Sequence, residues 1–232
     1  MSDVKGGEKR PRQYRSAVRE KGARRTRRAI VVAASALFAE RGYVATSLAD
    51  VAASAGVARP TVTSAFGSKP ALLREVLDEA LAGDDEPVPV AERPWFRPVW
   101  EAQTSRDVLT AYAQVCTLIG RRAARLFEAV RRAADTNPDV ADLWDSLQRN
   151  RRAGADMVLV HLRERALTHV GPSADHAVDA LWLLNDPGHY DTLVRQCGWP
   201  EEEFTTWLAA RMQDALLNAA DDGRSAPSSR VR

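Results

Sequence analysis

The stretch from Ser47 to Leu73, SLADVAASAGVARPTVTSAFGSKPALL, most constrains what this chain can fold into, because it sets two short helical patterns around Gly56 and Val57 and follows them with a third. In the first pattern Leu48, Val51 and Ala52 share one face. Ser47 and Asp50 form the S-x-x-D pair that satisfies otherwise unpaired amides at a helix start. Gly56 stops this helix, since the residue past a helix end often needs positive φ, which glycine adopts without a Cβ clash. A second helix begins at Arg59 and Pro60, where the fixed φ of proline suits a first turn. From Arg59 to Ala65 it spans roughly 10 Å, short enough for a DNA major groove about 12 Å wide. The spacing therefore predicts a helix-turn-helix whose outward side chains, Arg59, Pro60, Thr61, Thr63 and Ser64, face nucleic acid.

The flanking segments extend the pattern. A helix is expected from Thr26 to Arg41, with Ile30, Ala33, Ala34, Leu37 and Phe38 as its buried stripe. Ser68 can cap a fourth helix from Lys69 to about Leu81, burying Leu72, Leu73, Val76 and Leu77 and placing Lys69 near a phosphate. Residues 1–24 read as a basic, flexible arm that buries no apolar surface and orders on DNA, with Arg24, Arg25, Arg27 and Arg28 as its contributors.

Across this region Ile30, Ala33, Ala34, Leu37, Phe38, Gly42, Tyr43, Thr46, Ser47, Asp50, Val51, Ala52, Ala55, Gly56, Val57, Thr61, Phe66, Lys69 and Leu72 stand at fixed offsets over three helices. In this the chain resembles the TetR family of bacterial transcriptional regulators, over about residues 25–77. The resemblance implies a DNA-binding domain there and double-stranded operator DNA as partner. Thr46, Ser47 and Lys69 are expected at the DNA, Thr46 and Lys69 as phosphate contacts. The chain departs from the family pattern at Thr63, where a phosphate-contacting tyrosine is usual, at Ala58, commonly serine, and at Ala65, often histidine.

Charge distribution agrees with a polyanion partner. The net charge is only +2, yet residues 1–76 hold 15 Lys and Arg against 6 Asp and Glu, a net +9, and the other residues carry a net −7. Two cysteines, Cys116 and Cys197, without a C-x-x-C pair, give neither a disulfide framework nor a zinc motif, so a reducing cytoplasm is the default. There is no run of 18 apolar residues, and the eleven basic side chains of the first 28 residues precede no apolar segment of a secretory signal. No Gly-rich phosphate loop, G-x-S-x-G elbow, H-E-x-x-H or framed pair of acids points to an enzyme. His161, His169, His176 and His189 lack metal-ligand spacing, so neither metal nor cofactor is expected.

Residues 83–104, with four prolines and an acidic run, interrupt the helical periodicity and mark a boundary. Beyond it helices are expected over about 105–134, 139–166, 174–185 and 201–219, with a short turn or helix at 189–196. The third follows Gly171-Pro172-Ser173 and ends at Asp186-Pro187-Gly188. No segment alternates with period two and no repeat is evident, so the fold class is all-α. It comprises an N-terminal three-helix helix-turn-helix lobe over 25–77, a larger helical effector-binding and dimerisation lobe over 78–220, and a disordered tail over 221–232.

The helix over 174–185 is apolar around most of its circumference, which calls for burial on more than one side. In the family the last two long helices pair with their symmetry mates. The resemblance thus implies a homodimer on a palindromic site, with Leu181, Trp182, Leu184, Trp207, Leu208, Met212 and Leu216 at the interface. Family members also hold small effectors among the middle helices, and Trp100, Tyr112, Cys116, Phe127, Trp144, Met157, His161 and Trp182 are candidates to line such a pocket. Few charges fall among them, so an apolar or aromatic effector meeting His161 or Tyr112 is expected. A repressor released by that effector is the leading reading. The alternative is a helical regulator with weakened operator recognition that works through protein contacts.

Overall fold

The computed structural model describes the backbone of residues 10–165 and 174–217, with side chains over 19–165 and 176–217. Every regular element among them is helical. The chain divides into two compact units, 1–76 and 77–232.

In the first unit, α1 (Arg10–Arg41), α2 (Leu48–Ala55), α3 (Arg59–Phe66) and the start of α4 (Lys69–Ala82) surround a small core. Ile30, Ala34, Phe38, Val51, Val62, Leu72, Leu73 and Val76 are buried there, at the positions that the helical spacing marks. The turn between α2 and α3 is built as expected. Ser47 and Asp50 complete a capping box, and Gly56 takes φ 67° while its N–H reaches back to the Ala52 and Ala53 carbonyls.

The helix α1 departs from expectation, since it runs back to Arg10 and residues 10–24 are not an arm. A helix packed at one end propagates without a new nucleation cost, and the Arg, Gln, Ala, Glu and Lys of this stretch are good helix formers. Pro11 lies in the first turn, where its missing N–H costs nothing. Residues 1–9 of the expected arm, the 221–232 tail, Gly171-Pro172-Ser173 and His169 lie outside the described residues.

The second unit is organised around α6 (Ser105–Ala134), which packs on α5 (Arg97–Glu101), α7 (Pro138–Glu164), α9 (Pro187–Tyr190) and α10 (Glu201–Leu217), while α8 (Ala174–Leu184) lies on α7 and α10. A π-helical turn, Asp191–Gln196, continues α9. The close approach of α9 to α6 depends on Gly120, because a Cβ there would lie 2.6 Å from the Tyr190 Cβ.

The proline-rich stretch is part of this unit and not a linker. Phe96 and Val99 are in its core, with Phe96 stacked on Trp100 at 4.8 Å. Arg93, only 4% exposed, holds the preceding loop by two hydrogen bonds to Asp84, at 2.7 and 2.8 Å, and by donating to the Val88 and Glu86 carbonyls. Prolines break helical periodicity without preventing burial, provided the freed carbonyls find donors, and here one arginine supplies several.

Candidate nucleic-acid interface and cavity

Along α3 a single side chain, Val62, is fully buried, and Phe66 is half-buried. Arg59, Pro60, Thr61, Thr63, Ser64 and Ala65 are all exposed, so the face opposite Val62 is free of packing. The helix has no acidic residue in its first turn, and Ala58 gives it no side-chain cap. Thr63, exposed on this face, donates its hydroxyl to the Arg59 carbonyl at 3.4 Å. Beside this face α1 and α3 flank a groove of about 520 Å³ lined by Ala23, Thr26 and Arg27 from α1 and Pro60, Thr61, Ser64 and Ala65 from α3.

The sequence-predicted contacts divide on inspection. Arg25 and Arg28 are exposed on α1, as is Arg24. Arg27 instead braces the unit. Its guanidinium pairs with Glu75 at 2.6 Å, donates to the Ala65 carbonyl at 3.0 Å and stacks 4.3 Å from the Phe66 ring centre, tying α1 to the end of α3 and to α4. Thr46 is also structural. It is 1% exposed and donates to the Gly42 and Leu37 carbonyls at 2.8 and 3.3 Å, so its hydroxyl faces the core and not a phosphate. Ser47 is exposed but its hydroxyl belongs to the capping box.

Lys69, at the start of α4, holds its ammonium 4.0 Å from the Tyr43 ring centre, and partial burial lowers its pKa while Asp50 opposes the shift. Asp50 is itself held below the usual carboxylate range, chiefly by the Ser47 hydrogen bonds. The pairs Arg27–Glu75 and Lys69–Tyr43 are long-range in sequence and have no local signal.

Residues 30–76 match the family model for bacterial regulatory proteins of the tetR family. Over these residues the N-terminal unit is similar to proteins of that family. No curated protein matches the chain. Solved structures share its fold over most of their length. A protein from Pseudomonas aeruginosa PAO1 described as a transcriptional regulator superposes with a TM-score of 0.64 at 17% identity, covering 85% of this chain and 93% of its own. A regulator from Saccharomonospora viridis, solved in complex with choline, gives 0.62 at 20% identity over 82% and 96%. A TetR-family regulator from Rhodococcus sp. gives 0.60 at 15% identity over 83% and 98%. The chain thus shares the fold of these solved structures, a helix-turn-helix unit followed by a larger helical one.

The larger helical unit contains a cavity of about 500 Å³ among α6, α7, the end of α8, α9 and the π-helical turn. Phe127, Trp144 and Trp182 line it, as the sequence suggests. The other candidates do not join them. Trp100 and His161 meet each other edge to face at 5.0 Å beside Phe96, and Met157 is 38% exposed on α7. Tyr112 and Cys116 lie in the interior, where burial raises the tyrosine pKa and pushes the thiol up to about 12. The expected scarcity of charge is overturned as well, because Glu128, Arg131, Arg151, Asp186 and Asp191 line the cavity.

Most of these charges are neutralised in place. Glu128 binds Arg131 through both carboxylate oxygens, at 2.7 and 2.8 Å, which holds it below its ordinary pKa. Arg151, its side chain 10% exposed, pairs with Asp186 at 3.0 Å and donates to Gln148, to Asn185 and to the Trp182 carbonyl. Asn185 in turn donates to the Tyr112 hydroxyl at 2.9 Å, so the cavity floor is a connected polar network. The sequence carries one signal of it: Arg151 interrupts the buried row Leu147, Ala155 and Val158 at helical spacing on α7.

The dimer candidates are also redistributed. Leu181, Leu208, Met212 and Leu216 are at most 1% exposed within the chain and belong to its own core. Trp182, Leu184 and Trp207 are half-buried, and Leu183, absent from the expected set, is 64% exposed. Helical periodicity marks an apolar face but not which chain covers it.

Among the described residues no group of three or more His, Cys, Asp and Glu side chains is placed to hold a metal ion, and no helix is long and apolar enough to cross a membrane.

Proposed function

We propose that this protein is a cytoplasmic homodimeric repressor that binds a palindromic duplex operator through α3 and leaves it when a small molecule fills the cavity of the helical unit. The exposed, acid-free face of α3 inside the segment that matches the family model carries the reading. The excess of cations in residues 1–76 supports it, since phosphate contacts supply most of the non-specific affinity for DNA. Arg24, Arg25, Arg28 and Lys69 position the duplex, and Arg59, Thr61, Thr63 and Ser64 read it.

Dimerisation follows from the need of a single eight-residue reading helix for a second half-site. The exposed Leu183 with Leu184, Trp182 and Trp207 is the apolar surface proposed for it. In the cavity, aromatic walls over a network of paired ions suit a small molecule with an apolar body and a charged group. The choline bound by the Saccharomonospora viridis neighbour is a ligand of that kind.

Selection of duplexes from a random library by the full chain, followed by anisotropy titrations at several salt concentrations, tests the reading. A palindromic site is expected, with log K falling against log salt more steeply than about −3, as several neutralised phosphates require. A non-palindromic site or salt-insensitive binding overturns it. If no duplex is enriched and the chain captures only proteins, the protein-contact alternative takes its place.

A further inference from the structure

From the chemistry that α3 presents, we infer that the operator half-site is read as guanine and thymine, with Arg59 taking the guanine and the methyl group of the exposed Thr63 taking a thymine 5-methyl. The inference rests on the proposed reading of α3 as the recognition helix and adds to it which bases are read.

In the major groove, guanine is distinguished by paired acceptors that suit arginine, and adenine by an acceptor and donor that suit Asn or Gln. Cytosine is distinguished by a donor that suits a carboxylate, and thymine by its methyl group. The helix RPTVTSAF contains no Asn, Gln, Asp or Glu, so it lacks the paired adenine reader and the cytosine acceptor. Its one cation, Arg59, is exposed and has no carboxylate partner among the described residues, which leaves its donors for guanine.

The rest of the outward face is short and rich in carbon. Pro60 offers a ring and Ala65 a methyl group. Thr63 is the informative side chain, because its hydroxyl already donates to the Arg59 carbonyl at 3.4 Å. With the hydroxyl engaged by the backbone, the methyl group is what this exposed side chain has left to offer, and it is the group that thymine, alone among the four bases, matches. Thr61 and Ser64 add hydroxyls that pair with either donors or acceptors and discriminate little. Beyond Arg59 no long polar side chain stands on this face, so the α3 backbone can approach the base edges closely, which a methyl-to-methyl contact demands.

The test uses the full chain and its selected operator, with each thymine of one half-site replaced in turn by uracil, which deletes only the 5-methyl group. Uracil at the contacted position should weaken binding about fourfold, the effect of one buried methyl group. Thr63→Ser keeps the hydroxyl and its backbone bond and removes only the methyl. It should weaken binding to the thymine operator by a similar factor and leave binding to the uracil operator unchanged. Arg59→Ala should erase the preference for guanine at one position per half-site.

A palindromic operator whose affinity no uracil substitution changes overturns the thymine assignment while the regulator reading stands. Equal losses from Thr63→Ser on both operators remove Thr63 as the reader. Retention of the guanine preference by Arg59→Ala removes that assignment. Failure to select any operator overturns the reading beneath, a distinguishable outcome. Circular dichroism of each variant separates all of these from loss of folding.

Discussion

Thr46 shows how a residue at a family position acts from inside. Its hydroxyl serves the Gly42 and Leu37 carbonyls where α1 turns toward α2, so it shapes the platform on which α2 and α3 stand. Thr46→Val keeps the volume and removes the donor, and we expect it to cost about 1–2 kcal/mol in urea unfolding, the scale of a buried hydrogen bond whose acceptors lose their partner. The salt dependence of DNA binding should not change, whereas a slope shallower by about 1 with unaltered stability would make Thr46 a phosphate contact. His161 offers a pH test. Its Nε2 is buried and finds no hydrogen-bond partner among the described residues, and burial, followed by the nearby Arg165, lowers its pKa. A folded pKa below the unfolded value of about 6.5 means that the unfolded chain binds the extra proton in the window beneath it. Stability is therefore full above pH ~6.5 and falls as the pH drops through that window. Thermal midpoints of His161→Phe should fall less between pH 7 and 5 than those of the parent, and parallel curves would show that His161 does not titrate this way.

At the scale of elements, α6 and α9 approach each other closely at Gly120. Gly120 leaves space for the Tyr190 ring, whose hydroxyl donates to Glu201 at 2.7 Å while Arg121 binds the same carboxylate. Gly120→Ala would set a methyl group 2.6 Å from the Tyr190 Cβ, an atom fixed to the backbone, so α9 must shift. The helix-propensity gain of alanine is about 1 kcal/mol, against an overpacking cost of about 1–3 kcal/mol, and net destabilisation in a denaturant melt is expected. Unchanged or raised stability would mean that α9 yields freely. The helices themselves are readable from periodicity and punctuation: Asn137-Pro138 opens α7, and Asp186 caps α9, whose first turn holds Pro187 and Gly188 just past the end of α8. What periodicity misses has physical reasons. The start of α1 was set by propagation from a packed helix and not by an apolar stripe. Residues 83–104 joined the core because Arg93 satisfied their carbonyls. Leu181, Leu208, Met212 and Leu216 look alike whether their partner is the same chain or another. The α3 face was legible because Gly56, Pro60 and the capping box fix it locally. The cavity was only partly so, because its polar network joins residues far apart in sequence.

For the whole molecule, the exposed Leu183, which also lines the edge of the cavity, and Trp144 on the cavity wall make two predictions. Leu183→Arg places a charge on the surface proposed for pairing, and light scattering should show a monomer with weakened operator binding, while a persistent dimer moves the interface elsewhere. Effector release is a stricter matter, because a ligand can release DNA only by binding the DNA-free conformation better. The helix α4 is continuous across Val76 and Leu77, where the chain passes from one unit to the other, and is the covalent path for any such coupling. A coupling of about 1–3 kcal/mol is typical, and linkage requires operator DNA to weaken ligand binding by the same factor as ligand weakens operator binding. Choline gives a first probe by calorimetry, with and without saturating operator. Trp144, half-buried on the cavity wall, is a better place to test this than Phe127, which is 5% exposed and whose truncation would cost about 3–5 kcal/mol of folding. Trp144→Ala should lower ligand affinity at least tenfold and leave the ligand-free operator affinity within about twofold, a pattern in which less than about 0.4 kcal/mol reaches the DNA site. If Trp144→Ala weakens operator binding as much as ligand binding, the cavity wall is part of the folded platform and not of a release mechanism. Equal ligand affinity with and without operator rejects release by that ligand.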